Sequence, residues 1–322
     1  MKTTTKKVLS LLLAAATIVA CTLSLSSCGK KKGYTVGICQ LVRHEALDAA
    51  TQGFKDALTE ALGAENVTFI EQNAQNDTNA CSTIVTDFVS KKVDLILANA
   101  TPALQAAFNA TTTIPVLGTS ITEYGVALDI PDFNGTVGGN VSGTSDLAPL
   151  TEQADMIPEL FPDAKNVGLI YCSAEPNSEY QVKVIEEYLT DKGLTCTRFS
   201  FSDSNDISAV TTAAAAQSDV IYIPTDNTAA SCSETIGNIV REKKVPVVAG
   251  EQGICAGCGV ATLSISYYDL GVKTGEMAAK ILKGEEKISE MPIEYAKATK
   301  MYNPAICEEL GITVPEGYTA IE

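Results

Sequence analysis

The sequence predicts an α/β protein of two doubly wound parallel-sheet lobes, and three observations predict it. Short apolar runs alternate with longer stretches that carry apolar residues at helical spacing, the pattern of βαβ units. The alternation comes in two series. The chain, at 322 residues, also exceeds the usual size of one domain.

The first series opens with a buried strand, Tyr34 to Gln40. A helix from His44 to Leu62 follows, with Leu47, Ala50, Phe54, Ala57, Leu58 and Ala61 on one face. Next come strand Val67 to Glu71, helix Thr78 to Lys91, strand Leu95 to Ala98, helix Pro102 to Ala110 and strand Pro115 to Gly118. The second series begins with helix Thr151 to Leu160 and strand Asn166 to Tyr171. It continues through helix Ser178 to Lys192, strand Thr195 to Phe201, helix Ile207 to Ala216, strand Val220 to Pro224, helix Thr228 to Lys243 and strand Pro246 to Ala249. From Ala261 the chain adds one strand, a helix from Gly271 to Lys283 and an irregular end. Loops at the strand C-terminal ends of both lobes are expected to face a shared crevice.

The segment before the first strand reads as an export signal. Lys2, Lys6 and Lys7 precede the uncharged run Val8 to Ala20, which is short for a spanning helix. Leu25-Ser26-Ser27-Cys28 resembles a bacterial lipobox, in which the cysteine is acylated and becomes the new N-terminus. Ile18-Val19-Ala20-Cys21 fits the same pattern. Cys28 is favoured because Gly29-Lys30-Lys31-Lys32-Gly33 after it reads as a polar tether, giving a signal peptide over 1–27 and a tether over 28–33. Acyl chains there would hold the protein at the outer face of the cell membrane.

The formal net charge is −16, and loss of the three signal lysines makes it −19. So acidic a chain repels nucleic acid and anionic lipid, and its charge favours a soluble monomer. Beyond Cys28 lie Cys39, Cys81, Cys172, Cys196, Cys232, Cys255, Cys258 and Cys307, spread evenly and several at the ends of apolar strands. They read first as free thiols packed as small hydrophobes. Cys255-Ala256-Gly257-Cys258 is the one close pair, and a local disulfide there is the second reading. A zinc site would need a second ligand pair, so no metal is expected.

Catalytic patterns find no support. Gly135-Thr136-Val137-Gly138-Gly139 lacks the preceding strand and Gly-x-Gly turn of a dinucleotide site, and reads as an inter-lobe turn. No phosphate loop is present, and a triad would rest on the single histidine, His44. No cofactor is implied. Small polar residues instead cluster at strand ends. They include Gln40 to His44, Asn99 to Thr101, Thr119-Ser120, Tyr171 to Ser178, Thr225-Asp226-Asn227, Gly250-Glu251 and Val141 to Asp146. Each alone suits helix capping. Together they suit a zwitterion, whose carboxylate wants hydroxyls and helix N-termini and whose ammonium wants a carboxylate.

Several of these stretches resemble the substrate-binding lipoproteins of ABC transporters for tryptophan and other aromatic amino acids. They are Gln40-Leu41-Val42 with Leu47 to Phe54, Ala100-Thr101-Pro102, Val141 to Asp146, Tyr222 to Asn227, Val247 to Glu251, and Tyr267 to Gly271 with Thr274-Gly275. The resemblance implies a type I periplasmic-binding-protein fold with a three-segment hinge. One lobe would comprise 34–143 plus 252–284, the other 144–251 plus 285–322. It also implies an ABC permease with its ATPase as partner and a ligand held between the lobes. Ser145, Asp146 and Thr101 are expected at one end of that ligand, with Asp226, Asn227 and Glu251 at the other. Leu47, Tyr171 and Tyr267 are expected as walls, since the chain has no Trp to stack with. Gln40, His44, Asn99, Ser120 and Asn177 complete the expected cleft. Arg43-His44-Glu45 and Ser120 to Glu123 depart from the family's Glu-His-Pro and Val-Thr-Asp-Pro, at the rim where ligand identity is read. Other small molecules (a nucleoside, a sugar) and a role as an extracellular sensor fit the same architecture.

Overall fold

The computed structural model describes residues 33–321; the signal, most of the tether and Cys28 lie outside the described residues. In chain order the first part comprises β1 (Tyr34–Gln40), α1 (Glu45–Leu62), β2 (Val67–Asn73), α2 (Thr78–Lys91), β3 (Leu95–Asn99), α3 (Thr101–Ala110), β4 (Val116–Ile121), α4 (Tyr124–Ala127) and β5 (Val141–Ser145). The second comprises α5 (Leu150–Leu160), β6 (Asn166–Cys172), α6 (Pro176–Asp191), β7 (Thr195–Phe201), α7 (Ile207–Ala215), β8 (Val220–Ile223), α8 (Asn227–Ser231), α9 (Ser233–Lys243), β9 (Val247–Ala249), α10 (Gln252–Cys258) and β10 (Ala261–Ser264). The chain ends with α11 (Tyr267–Lys283), β11 (Glu294–Tyr295), β12 (Thr299–Tyr302), α12 (Pro304–Leu310) and β13 (Thr319–Ala320).

Two sheets result. One has the order β11-β5-β4-β3-β1-β2 and is parallel throughout; the other has the order β13-β12-β10-β9-β8-β6-β7, with only the β10–β12 pair antiparallel. The α/β class and the two doubly wound lobes expected from the sequence are present. Apolar side chains fill both faces of each sheet. Phe88, Val85 and Leu104 lie on one side of the first and Phe54, Leu58 and Met277 on the other.

The lobe boundaries differ from those expected. Residues 252–264 form α10 and β10, and β10 pairs with β9 in the second sheet rather than the first. β5, expected as the connection between lobes, is a buried strand of the first sheet, and β11 returns to pair with it. The chain therefore crosses between lobes after β5, after β10 and after β11, which makes three connections. β5 escaped the sequence reading because Val-Ser-Gly-Thr-Ser has no apolar run. Its Gly143 sits at φ +145°, and a Cβ there would lie 2.1 Å from the Gly118 carbonyl oxygen.

α11 packs along α1, so the helix that follows the second crossover belongs to the first lobe. Glycine allows the approach: a Cβ on Gly271 would lie 2.0 Å from the Ala50 carbonyl oxygen. The single helix expected over 228–243 breaks at Cys232 (φ −118°, ψ 14°) into α8 and α9. Cys255 and Cys258, in a stretch to which the sequence reading assigned no element, lie on α10, whose two internal glycines weaken the helical signal. All eight cysteines among the described residues are unpaired. No helix among the described residues is long and apolar enough to cross a membrane.

Candidate functional site

The C-terminal ends of the strands in both sheets face one crevice, as parallel α/β sheets dictate. Within it lies a small, largely enclosed cavity lined by residues from both sheets. β1 leads to His44 and Leu47, β4 to Ser120 and Thr122, and β5 to Asp146. From the second sheet, β6 leads to Asn177, β8 to Thr225, Asp226, Asn227 and Ala230, β9 to Glu251 and β10 to Tyr267. No lysine or arginine lines it.

Two of its acids cap helices. Asp226 Oδ1 accepts from the Ala229 N–H at the start of α8 (2.8 Å), and its Oδ2 accepts from the Cys172 N–H (2.6 Å). Glu251 accepts from the Gly253 and Ile254 N–H groups at the start of α10. Burial pushes Glu251 up to about 7, against those two hydrogen bonds. Burial, then the neighbouring Glu175, raises Asp226.

Asp146 is different. Its Oδ2 accepts from the Tyr267 hydroxyl at 2.9 Å, while its Oδ1 is buried without a partner. Burial pushes this carboxyl up to about 6, although the Tyr267 and Thr122 side chains pull it down. Three further lining atoms are buried and unpartnered: His44 Nδ1, Ser120 Oγ and Asn177 Oδ1. Ser120 also holds a left-handed φ of +56°, unusual for a residue with a side chain and typical of ligand sites. Burial holds the His44 imidazole below its ordinary range, outweighing Asn227, Glu175 and Asp48, which favour its charge. Buried polar atoms are rarely left bare. Here the bare acceptors call for a ligand that brings donors, and the lack of a cation calls for one that brings positive charge.

Nine expected residues therefore line the cavity: His44, Leu47, Ser120, Asp146, Asn177, Asp226, Asn227, Glu251 and Tyr267. Five do not. Gln40 is used inside the first lobe, donating to the Val42 carbonyl and Asp48 and accepting from Thr51. Asn99 donates to the Leu47 carbonyl and Thr51. Ser145 ties the Thr122 carbonyl to the Leu147 N–H, which fixes the loop that carries Asp146. Thr101 is buried in the first turn of α3, and Tyr171 packs in the core of the second lobe. Thr122, Thr225 and Ala230, none of them singled out as a ligand contact, also line the cavity. Glu175, part of the strand-end set but given no role there, stands behind it and accepts from Asn177, Asn227 and Thr228. Thr122, Thr225 and Glu175 lie one to three residues past a strand end, the one signal that marked them, whereas Ala230 lies seven past β8.

Comparison with known proteins agrees with this geometry. The profile of the ABC transporter substrate binding protein family matches residues 35–320. A protein of Clostridioides difficile (strain R20291) named tyrosine-binding protein is 35% identical over 273 residues, covering 84% of this chain and 79% of that one. A solved domain from Streptococcus pneumonia in complex with L-Trp is 32% identical with a TM-score of 0.85, over 90% of this chain and all of that one. A ligand-free, open structure of a substrate binding protein with adhesive properties from Clostridium difficile is 38% identical, but its TM-score is only 0.68 over 90% of this chain and 99% of that one. The chain thus superposes better on the L-Trp complex than on the open structure, despite the lower identity. A glucose-galactose binding protein and a solute binding protein with bound myo-inositol, at 14% and 16% identity, share the fold alone. The aromatic-amino-acid lipoprotein resemblance drawn from the sequence motifs points to the same family, and the chain belongs to the ABC transporter substrate-binding proteins.

Proposed function

We propose that this chain captures an aromatic amino acid outside the cell and presents it, in the closed form, to an ABC permease driven by a separate ATPase. The bare Asp146 Oδ1 in a buried cavity that no cation lines carries this reading. An α-ammonium group supplies both the missing donors and the missing charge. Ser120 and Thr122 would receive the carboxylate, and Leu47, Ala230 and the ring of Tyr267 give apolar wall for the side chain. The relatives that bind L-Trp or are named for tyrosine support the aromatic class. The ligand leaves unchanged, the protein acts as a monomer, and acylation at Cys28 tethers it to the membrane.

A thermal-shift panel of amino acids, nucleosides and sugars, followed by calorimetry, tests the ligand class. L-tyrosine or L-tryptophan should raise the melting temperature, since a hundredfold excess over Kd stabilises by about 2.7 kcal/mol. A shift by sugars or nucleosides alone would overturn the proposal. Recovery of a chemically altered ligand would overturn binding without turnover. Mass spectrometry of the protein from its own membrane should find a diacylglyceryl thioether on Cys28, with or without an acyl chain on its amino group, and an unmodified N-terminus would overturn the anchor.

A further inference from the structure

Two hydrogen bonds cross the cleft to the first two residues of α8. His44 Nε2 lies 3.3 Å from Asn227 Oδ1, and Asn76 Nδ2 donates to Thr228 Oγ1 at 2.9 Å. Glu175, almost fully buried, sits behind both. Its Oε2 accepts from the Asn227 backbone N–H (3.0 Å) and from Asn227 Nδ2 (2.7 Å). Its Oε1 accepts from the Thr228 N–H (2.8 Å) and from the Thr228 hydroxyl (2.7 Å). A carboxylate only accepts, so these groups spend their donors on it. Asn227 Oδ1 and Thr228 Oγ1 are thereby turned as acceptors toward the other lobe, which answers with donors. Asn76 answers with an amide N–H. His44 must answer with Nε2–H, and a neutral imidazole protonated there has a bare Nδ1. That Nδ1 is buried and unpartnered, on a side chain that lines the cavity.

We infer that Glu175 is a positioning residue that sets the donor and acceptor polarity of an inter-lobe latch, and that His44, held in the Nε2–H tautomer by that latch, offers Nδ1 to the ligand as a specificity-determining acceptor. A ligand with an N–H or O–H at that point satisfies the imidazole. One with a lone pair there leaves two acceptors facing each other, unsolvated. The second half of the inference rests on the amino-acid reading of the cavity; the first half does not.

The chain has a single histidine, so ¹⁵N spectra of tag-free protein report its tautomer directly. With saturating L-tyrosine or L-tryptophan, Nε2 should carry the proton and Nδ1 none; the opposite tautomer or an imidazolium overturns the inference. The Asn227 side-chain amide proton donated to Glu175 should exchange slowly with and without ligand, because Glu175 holds it within one lobe. Fast exchange overturns the role of Glu175. Glu175→Gln turns one acceptor into a donor and should weaken amino-acid affinity about tenfold or more while freeing that amide; unchanged affinity in a folded variant overturns the latch. If that variant does not fold, the wild-type exchange measurement decides. His44→Gln keeps a donor for Asn227 but lacks the Nδ1 acceptor, so affinity should fall about tenfold with the lobes still closing. Full affinity overturns the ligand contact. If no aromatic amino acid binds the wild type, the amino-acid reading and the ligand contact both fall, while amide exchange still decides the latch.

Discussion

The Tyr267 hydroxyl donates to Asp146 Oδ2 at 2.9 Å, joining the segment that leaves β5 to the first turn of α11. Two of the three inter-lobe connections are thereby tied together at the cavity. The bond also keeps Asp146 closer to its charged form than burial alone would allow. Tyr267→Phe should raise the Asp146 pKa above about 6 and weaken amino-acid binding about tenfold, since a hydrogen bond to a charged group is lost. Calorimetric titration of the variant across pH checks both effects; wild-type affinity with an unmoved pH midpoint would refute the coupling.

Asp146→Asn separates binding from stability. The amide can still accept from Tyr267 but cannot offer charge to an ammonium. Affinity should fall by about 2–4 kcal/mol, roughly thirtyfold to a thousandfold. The free protein should become more stable near neutral pH, because the ionised carboxylate is held there against its desolvation. A carboxyl moved from 3.8 to about 6 carries a cost on the order of 3 kcal/mol at full ionisation. Melting curves without ligand test this directly, and a lower melting temperature would mean that Asp146 serves the fold instead.

The pH dependence follows from the same carboxyl, with two opposite signs. In the free protein the Asp146 pKa is raised above its unfolded value, so its contribution to stability is most favourable below the unfolded pKa. That contribution diminishes as pH rises through about 6. Binding of an ammonium ligand favours the carboxylate and lowers its pKa, so binding releases a proton when pH is below about 6. Affinity should fall by about tenfold per pH unit there and level off above about 7. Glu251, raised to about 7, sharpens the release if it too meets the ligand's charge. Calorimetry at several pH values in two buffers of different ionisation heat measures the proton count; no release at pH 5.5 would count against Asp146 as the ammonium partner.

Much of this was legible in the residues themselves. The apolar runs and helical spacing gave strands such as Thr195–Phe201 and helices such as Thr78–Lys91 with their observed limits. Residues after strand ends were legible as a class, because a parallel sheet delivers them to one crevice. What could not be read was which polar residue turns inward and which braces a neighbour. Ser145 and Asp146 are adjacent, yet Ser145 fixes the loop and only Asp146 keeps an oxygen free. Glu175 was hidden because its role depends on Asn227 and Thr228, some fifty positions later. The split of residues 252–264 to the second sheet was hidden as well. A strand as short as Ala261–Ser264 carries no mark of its partner.

Cysteine labelling gives a direct measure of closure. Cys39, Cys81, Cys172, Cys255, Cys258 and Cys307 are buried, whereas Cys196 and Cys232 are partly exposed. Burial also raises the thiol pKa at Cys255 and Cys258, which makes them poor nucleophiles. In mature protein starting after Cys28, a water-soluble thiol reagent should modify only Cys196 and Cys232 while the fold is intact. Cys232 lies in a groove at the cleft mouth with Arg43, His44 and Gly253, contributed from across the crevice and from α10. Cys196 lies on β7, an edge strand of the second sheet. Ligand that shifts the population toward the closed form should therefore slow modification of Cys232 severalfold and leave Cys196 unchanged. Peptide mapping after timed labelling, with and without L-tryptophan, resolves the two sites. Equal slowing at both would show general stabilisation in place of closure, and rapid modification of Cys255 or Cys258 would contradict the packing of α10 against β9.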